Sequence, residues 1–244
     1  MAEWAPVTDA LLSISRDNSD DRVLAEQVCK ACIAGLDVDG ASISLLTASV
    51  VRETLWASDP TAQLLEDLQY SLGEGACMQA ATTGFPVLVP DLHHNTQVAR
   101  WPIFAAAVAE QTRVRALFAL PMQFGVINLG VLDLYRATPG GLGQEQWRDG
   151  LAAADIAAVM MLELRTDPDN PDGYDDSDAP WLDPSLGSRA EIHQAAGMVL
   201  VQLGITATEA LARLRAHAFT QQRLLLDVAA DVVTRRLEFT QDMK

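Results

Sequence analysis

The sequence predicts two folded parts of different class. The first is an α+β domain with an antiparallel sheet and flanking helices, and the second is an all-α bundle of three helices. Three observations carry this reading. Runs rich in β-branched and aromatic residues come in pairs around short turns: ASISLL with VRETLWAS, and VRALFALPM with VINLGVLDLYR. Amphipathic helical periods lie before, between and after those pairs. Finally, Thr166 to Gly187 holds seven Asp, four Pro and no Lys or Arg, and three further helical periods follow it. Such a stretch cannot bury enough apolar surface to fold, so it reads as a flexible acidic linker. The expected division is therefore 1–165, a linker at 166–187, a helical module at 188–239 and a tail at 240–244.

In the first part, Asp20 to Leu36 reads as a helix with Val23, Leu24, Val28, Ala31 and Cys32 inward and Gly35 near its end. Strands follow at Ala41 to Leu46 and Val51 to Ser58, joined by a hairpin turn. Thr61 to Gln69 is helical. Ser71 to Gly75, SLGEG, is a glycine turn that leads into a short helix from Ala76. Phe85 to Leu92 is a short strand with Pro86 and Pro90 near its ends, as suits an edge. Trp101 to Glu110 is a helix. The two longer strands turn at Gln123 to Gly125. Gln144 to Arg165 closes the domain with a stripe of Trp147, Leu151, Ala154, Ala158 and Leu162.

The C-terminal helices are marked by their caps. Ser188 with Glu191, and Thr206 with Glu209, each form an S/T-x-x-E capping box. Ile192, Ala195, Val199 and Leu203 face one way in the first helix, and Gly204 stops it. Ala210, Leu211, Leu214 and Ala218 form the apolar face of the second. Leu225, Val228, Ala229, Val232 and Val233 form that of the third, with Arg235 and Arg236 near its end, where cations suit the helix dipole. Helices this short must pack on one another to persist.

Charge is unevenly divided. The whole chain carries −16, from 17 Lys+Arg and 33 Asp+Glu. Residues 189–244 hold 7 basic and 6 acidic side chains, so the strong negative charge lies entirely in the remainder. Bulk electrostatic attraction to nucleic acid or to an anionic membrane is thereby disfavoured for the chain as a whole. The only segment able to meet a polyanion is the C-terminal module. The first residues, MAEWAPVTDALLSIS, lack the basic and apolar regions of a secretory signal. No apolar run reaches the length of a membrane span. With only three cysteines, a reducing cytoplasmic address is expected.

Two resemblances follow from these residues. IHQAAGM at 192–198, the GIT turn at 204–206, Glu209-Ala210, Leu214-Arg215 and Asp227-Val228-Ala229 resemble an ANTAR domain. GEGACMQAATTGFPVLVPDL at 73–92, with RALFALPM and NLGVLDLYR, resembles a GAF domain over most of residues 18–165. The first resemblance implies a three-helix module that binds RNA stem-loops in nascent transcripts and prevents a terminator hairpin from forming. The second implies a sensor or dimerisation domain whose ligand the sequence leaves unknown. Where ANTAR domains often carry Lys after the first-helix Ala, this chain has Ala196. Where they often carry basic residues entering helix three, it has Gln221, Gln222 and Leu224 around a single Arg223. The candidate RNA-binding residues are Arg189, His193, Arg213, Arg215 and Arg223, because planar guanidiniums grip phosphate and stack on unpaired bases. Together the resemblances imply a cytoplasmic, non-enzymatic, homodimeric transcription antitermination regulator. The alternative is a ligand-sensing or protein-interaction regulator whose three-helix bundle serves dimerisation.

Other constellations carry less. Cys29-Lys-Ala-Cys32 has C-x-x-C spacing but lies late in a helix, where the dipole does not activate a thiol. Cys77, His93 and His94 are too scattered for a zinc site. His93 and His94 read as loop residues, and Trp56, Phe85, Trp101 and Phe104 read mostly as core. No catalytic residue, metal or cofactor is expected.

Overall fold

The computed structural model describes residues 6–14, 20–46, 52–166, 187–221 and 223–240, with backbone alone at 52, 165–166 and 187–189. The hairpin turn expected before Val51, and nearly all of the acidic linker, lie outside the described residues. The chain forms two compact units, within 1–173 and 174–244.

In the first unit the helices are α1 (Pro6–Leu12), α2 (Asp21–Leu36), α3 (Pro60–Leu72), α4 (Ala76–Thr83), α5 (Asn95–Arg100), α6 (Pro102–Gln111) and α7 (Gln144–Thr166). The strands are β1 (Gly40–Leu46), β2 (Arg52–Ala57), β3 (Val87–Val89), β4 (Ala116–Phe124) and β5 (Ile127–Arg136). They form one antiparallel sheet in the order β2-β1-β5-β4-β3. The expected α+β class is what the chain adopts.

The sheet has a core on each face, because successive side chains alternate sides. Ala41, Ile43 and Leu45 of β1, Leu132 and Leu134 of β5, and Phe118, Leu120 and Met122 of β4 pack against α1, α2 and α7. Leu117, Ala119, Val131, Tyr135, Val87 and Val89 face the other way, among residues of α3, α4 and α6. Burial on both faces explains why ALFALPM reads as a continuous apolar run without alternation.

Local chemistry fixes the helix ends. Asp20 caps α2 by accepting from Arg22 N–H at 2.8 Å. Asp59 accepts from Thr61 and Ala62 N–H at 2.8 and 3.0 Å, with Pro60 opening α3. The SLGEG turn does more than reverse the chain. Glu74 reaches α6 and accepts from Ile103 and Phe104 N–H, both at 3.0 Å. Gly75, at φ 121°, lies against the Gln69 side chain, which in turn accepts from Cys77 N–H at 2.8 Å. Gly130 lets β5 approach β1: a methyl group there would sit 2.3 Å from the Ser44 carbonyl oxygen.

Several expectations shift. α1 and α5 are additional helices. α1 is tied down by Asp149, which accepts from Val7 N–H, Thr8 N–H and the Thr8 hydroxyl at 2.9, 3.0 and 2.7 Å. α2 presents Cys29 rather than Val23 to the core, since Val23 is 39% exposed. On α7 the buried stripe is Ala153, Ala154, Ala157, Ala158 and Met161, with Leu162 half-buried. Small residues win the inner face because the helix lies close over the sheet.

The second unit comprises α8 (Gly187–Leu203), α9 (Ala207–Thr220) and α10 (Leu225–Val233). Ile192, Ala195, Val199, Ala210, Leu214, Ala218, Leu225, Val228, Ala229 and Val232 make its core. α8 begins at Gly187, so Ser188 falls within the helix rather than before it. Gly204 ends α8 at φ 66°. The second capping box is complete. Thr206 N–H donates to Glu209 Oε2 at 2.8 Å, and Glu209 N–H donates back to Thr206 Oγ1 at 3.3 Å. Beyond α10 the chain turns back. Phe239 is buried, its N–H donates to Gln202 Oε1 at 3.0 Å, and its ring meets that of His217 at 5.3 Å. Among the described residues, no single helix is long and apolar enough to cross a membrane.

Candidate functional site

The basic side chains of the second unit gather at the corner between α9 and α10. The chain reverses there through Gln221 N–H to His217 O at 3.0 Å and Arg223 N–H to Ala218 O at 2.9 Å. This turns Arg223 over α10. Its Nη2 donates to Asp231 Oδ2 at 2.7 Å and to Asp227 O at 3.3 Å. Arg236 Nε lies 3.0 Å from the other oxygen, Asp231 Oδ1. Arg236 can reach back because Arg235 adopts a left-handed backbone, φ 59°. The hydrogen bond from Arg223, opposed by partial burial and assisted by the charges of Arg223 and Arg236, holds the Asp231 carboxyl below its usual range. One carboxylate thus holds two guanidiniums, and the trio keeps a net positive charge.

The residues expected from sequence are dispersed differently. Arg223 belongs to this cluster. Arg213 is exposed on α9 and Arg215 half-buried; two positions apart, they project to different sides of the helix. His193 is half-buried on α8. Arg189 lies in the first turn of α8, and its side chain is outside the described residues. Asp231 and Arg236 escape a sequence reading because Asp231 pairs across a turn with Arg223, eight positions away. Helical spacing alone does not announce that pair.

The first unit holds a polar pocket between α3 and the sheet. Ser42 and Ser44 of β1 and Asp133 of β5 share a face, with Ser42 directly opposite Asp133. Glu66 of α3 is fully buried above them. It accepts from Ser42 Oγ at 2.8 Å, Ser44 Oγ at 2.6 Å and Thr54 Oγ1 at 3.1 Å. Ser42, Glu66, Gln69, Asp133 and Tyr135 help line a cavity of about 10 Å³, room for one water. A larger ligand requires α3 to move. Glu66, Cys77 and Asp133 bring ligand-capable atoms within 4.8 Å of one another, the group here best placed to hold a metal ion. The expectation had weighed Cys77 with His93 and His94. Instead both histidines are exposed, and His94 caps α5. Tyr135 O–H donates to Asp59 Oδ1 at 3.0 Å. Burial and that bond push the Tyr135 phenol up to about 12.

The C-x-x-C pair is core. Cys29 and Cys32 are fully buried, and desolvation raises both thiols, Cys32 to about 12. At that value neither supplies a thiolate near neutral pH.

An antiparallel sheet with a small polar pocket under α3, followed by a three-helix unit with a pinned pair of arginines, defines a sensor-plus-output regulator. The chain belongs to the GAF domain family, which matches residues 21–160, and it carries an ANTAR domain at residues 182–233. No curated protein matches the chain in sequence. Among solved structures, the chain is similar to a domain of a two-component sensor histidine kinase from Sinorhizobium meliloti. The identity is 15% and the TM-score 0.48, covering 59% of this chain and 92% of that one. It is similar to the GAF domain of an Acinetobacter phosphoenolpyruvate-protein phosphotransferase at 15% identity and TM-score 0.44, covering 64% and 89%. It is also similar to a type II free methionine-R-sulfoxide reductase from Thermoplasma acidophilum at 16% identity and TM-score 0.43, covering 59% and 96%.

Proposed function

We propose that this protein is a signal-responsive transcription antitermination regulator of the cytoplasm. Its ANTAR domain binds stem-loops in nascent RNA, and its GAF domain governs that binding without covalent chemistry. The observation that carries the reading is the Arg223–Asp231–Arg236 cluster on an ANTAR domain that shares its chain with a GAF domain. Two guanidiniums held in place can grip phosphate with little loss of side-chain freedom. The raised thiols of Cys29 and Cys32 support a non-catalytic role. Crosslinking the protein to RNA in its native cell and sequencing the product tests the reading. Enrichment of hairpins that overlap terminators supports it, and a product indistinguishable from bulk RNA counts against it. Because the cluster meets only one or two phosphates, the logarithmic salt slope of binding should be shallow, about −2.

The working particle is proposed to be a homodimer. α7 buries its alanine stripe yet leaves Val159 39% exposed, so it offers apolar surface on a second side. Sedimentation of the full chain at micromolar concentration as a single protomer would remove this element.

A further inference from the structure

Phe219 is 62% exposed and Leu224 is 70% exposed, and they flank the reversal between α9 and α10. The backbone bonds that fix this reversal also deliver Arg223 to Asp231, so the two apolar side chains sit at the corner that carries the pinned guanidiniums. Those guanidiniums stay accessible: the Arg223 and Arg236 side chains are 39% and 67% exposed, whereas Asp231 is 21% exposed. The corner therefore shows a partner an aromatic ring, a leucyl group and two cationic forks, with the carboxylate tucked beneath.

Charge complementarity selects an anionic partner, and the exposed ring selects one with flat apolar faces. Paired RNA offers phosphates but hides its base faces in the stack. An unpaired loop nucleotide offers both, a base to stack and a phosphate beside it. Resting on the RNA reading above, we infer that this corner reads the loop of the hairpin: Phe219 and Leu224 receive one unpaired base, and Arg223 and Arg236 hold its neighbouring phosphate. Asp231 is a positioning residue, which sets both guanidiniums before RNA arrives. His193 and Arg213 are left to non-specific contact with the stem.

Hairpins with randomised loops are selected on the full-length protein. The selected hairpin and a blunt duplex of its stem are then titrated against parent and variants. Phe219→Ala should weaken hairpin binding about tenfold and leave duplex binding unchanged, with Phe219→Trp restoring it. Asp231→Asn removes a negative charge and frees both arginines. It should steepen the salt dependence and lower the preference for hairpin over duplex, a change that mere loss of stability does not produce. Circular dichroism of each variant identifies unfolding, and Phe219, being exposed, can be replaced without it. Hairpin binding by the parent that Phe219→Ala leaves unchanged overturns the inference alone. Absence of hairpin binding by the parent overturns the RNA reading and the inference with it.

Discussion

Glu66 shows what a single buried group can demand of its surroundings. Its carboxylate lies inside the first unit and takes three hydroxyl donors, from Ser42, Ser44 and Thr54. Replacing Glu66 with Leu leaves three buried hydroxyls without their acceptor. The expected loss is about 3 kcal/mol, read from urea unfolding, whereas Glu66→Gln should retain part of the network. Thr206 is the matching case in the ANTAR domain. Thr206→Ala removes one side of the capping box and should cost about 1 kcal/mol in that unit. Two carboxylates of the same unit give its acid response. The backbone and hydroxyl of Thr206 lower Glu209, and Arg223 lowers Asp231. Groups with depressed folded values stabilise above their unfolded range, and that contribution vanishes as pH falls through the folded value. Helicity of the unit should therefore decline below about pH 4, and less steeply in Asp231→Asn. Tyr135 works in the opposite sense. Its phenol is raised to about 12, so its contribution is complete below about 10 and disappears as pH rises through 12. Alkaline titration of phenolate absorbance should lose its highest component in Tyr135→Phe.

Among the elements, the β1–β5 pair is the least forgiving. Gly130 has no side chain because β1 passes too close for one, with the Ser44 carbonyl in the way. Gly130→Ala must push backbone against backbone. The expected result is loss of the central pairing and a protein that unfolds well before the parent in denaturant. Gly35 tests a more local contact. A methyl group at Gly35 would lie 2.5 Å from Val7 Cγ2, so Gly35→Ala should displace α1 from α2 while favouring α2 itself. Faster proteolysis within the first residues, with little change in the main unfolding transition, is the expected signature. The α9–α10 corner is an element in the same sense: its turn, its capping pattern and the reach of Arg236 are set by backbone geometry more than by packing.

For the whole molecule, two compact units with separate cores predict two separable unfolding events. Glu66→Leu should lower one thermal transition and Thr206→Ala the other, each leaving its counterpart in place. A single transition that both substitutions shift equally would show that the units fold as one. The acidic excess lies outside residues 189–244, so regulation of RNA affinity by the rest of the chain should weaken as salt rises.

Much of this was legible in the sequence because it rests on local rules. Period-2 and period-3.6 patterns placed the hairpins and the long helices. The Thr206-x-x-Glu209 spacing announced a cap that the structure completes atom for atom. The sequence also carried both family resemblances and the partition of charge. It could not place what depends on residues far apart in the chain. Glu74 caps a helix 29 residues away, Asp149 ties down a helix more than 140 residues before it, and Glu66 draws hydroxyls from two strands. The expected inward face of α2 was misphased because Val23 and Cys29 differ little in hydropathy, and only the position of α7 and the sheet decides between them. At the candidate RNA face, sequence could count arginines. Tertiary structure alone joined Arg223 to Arg236 through Asp231, since a shared carboxylate is a matter of distance across a turn and not of spacing along a helix.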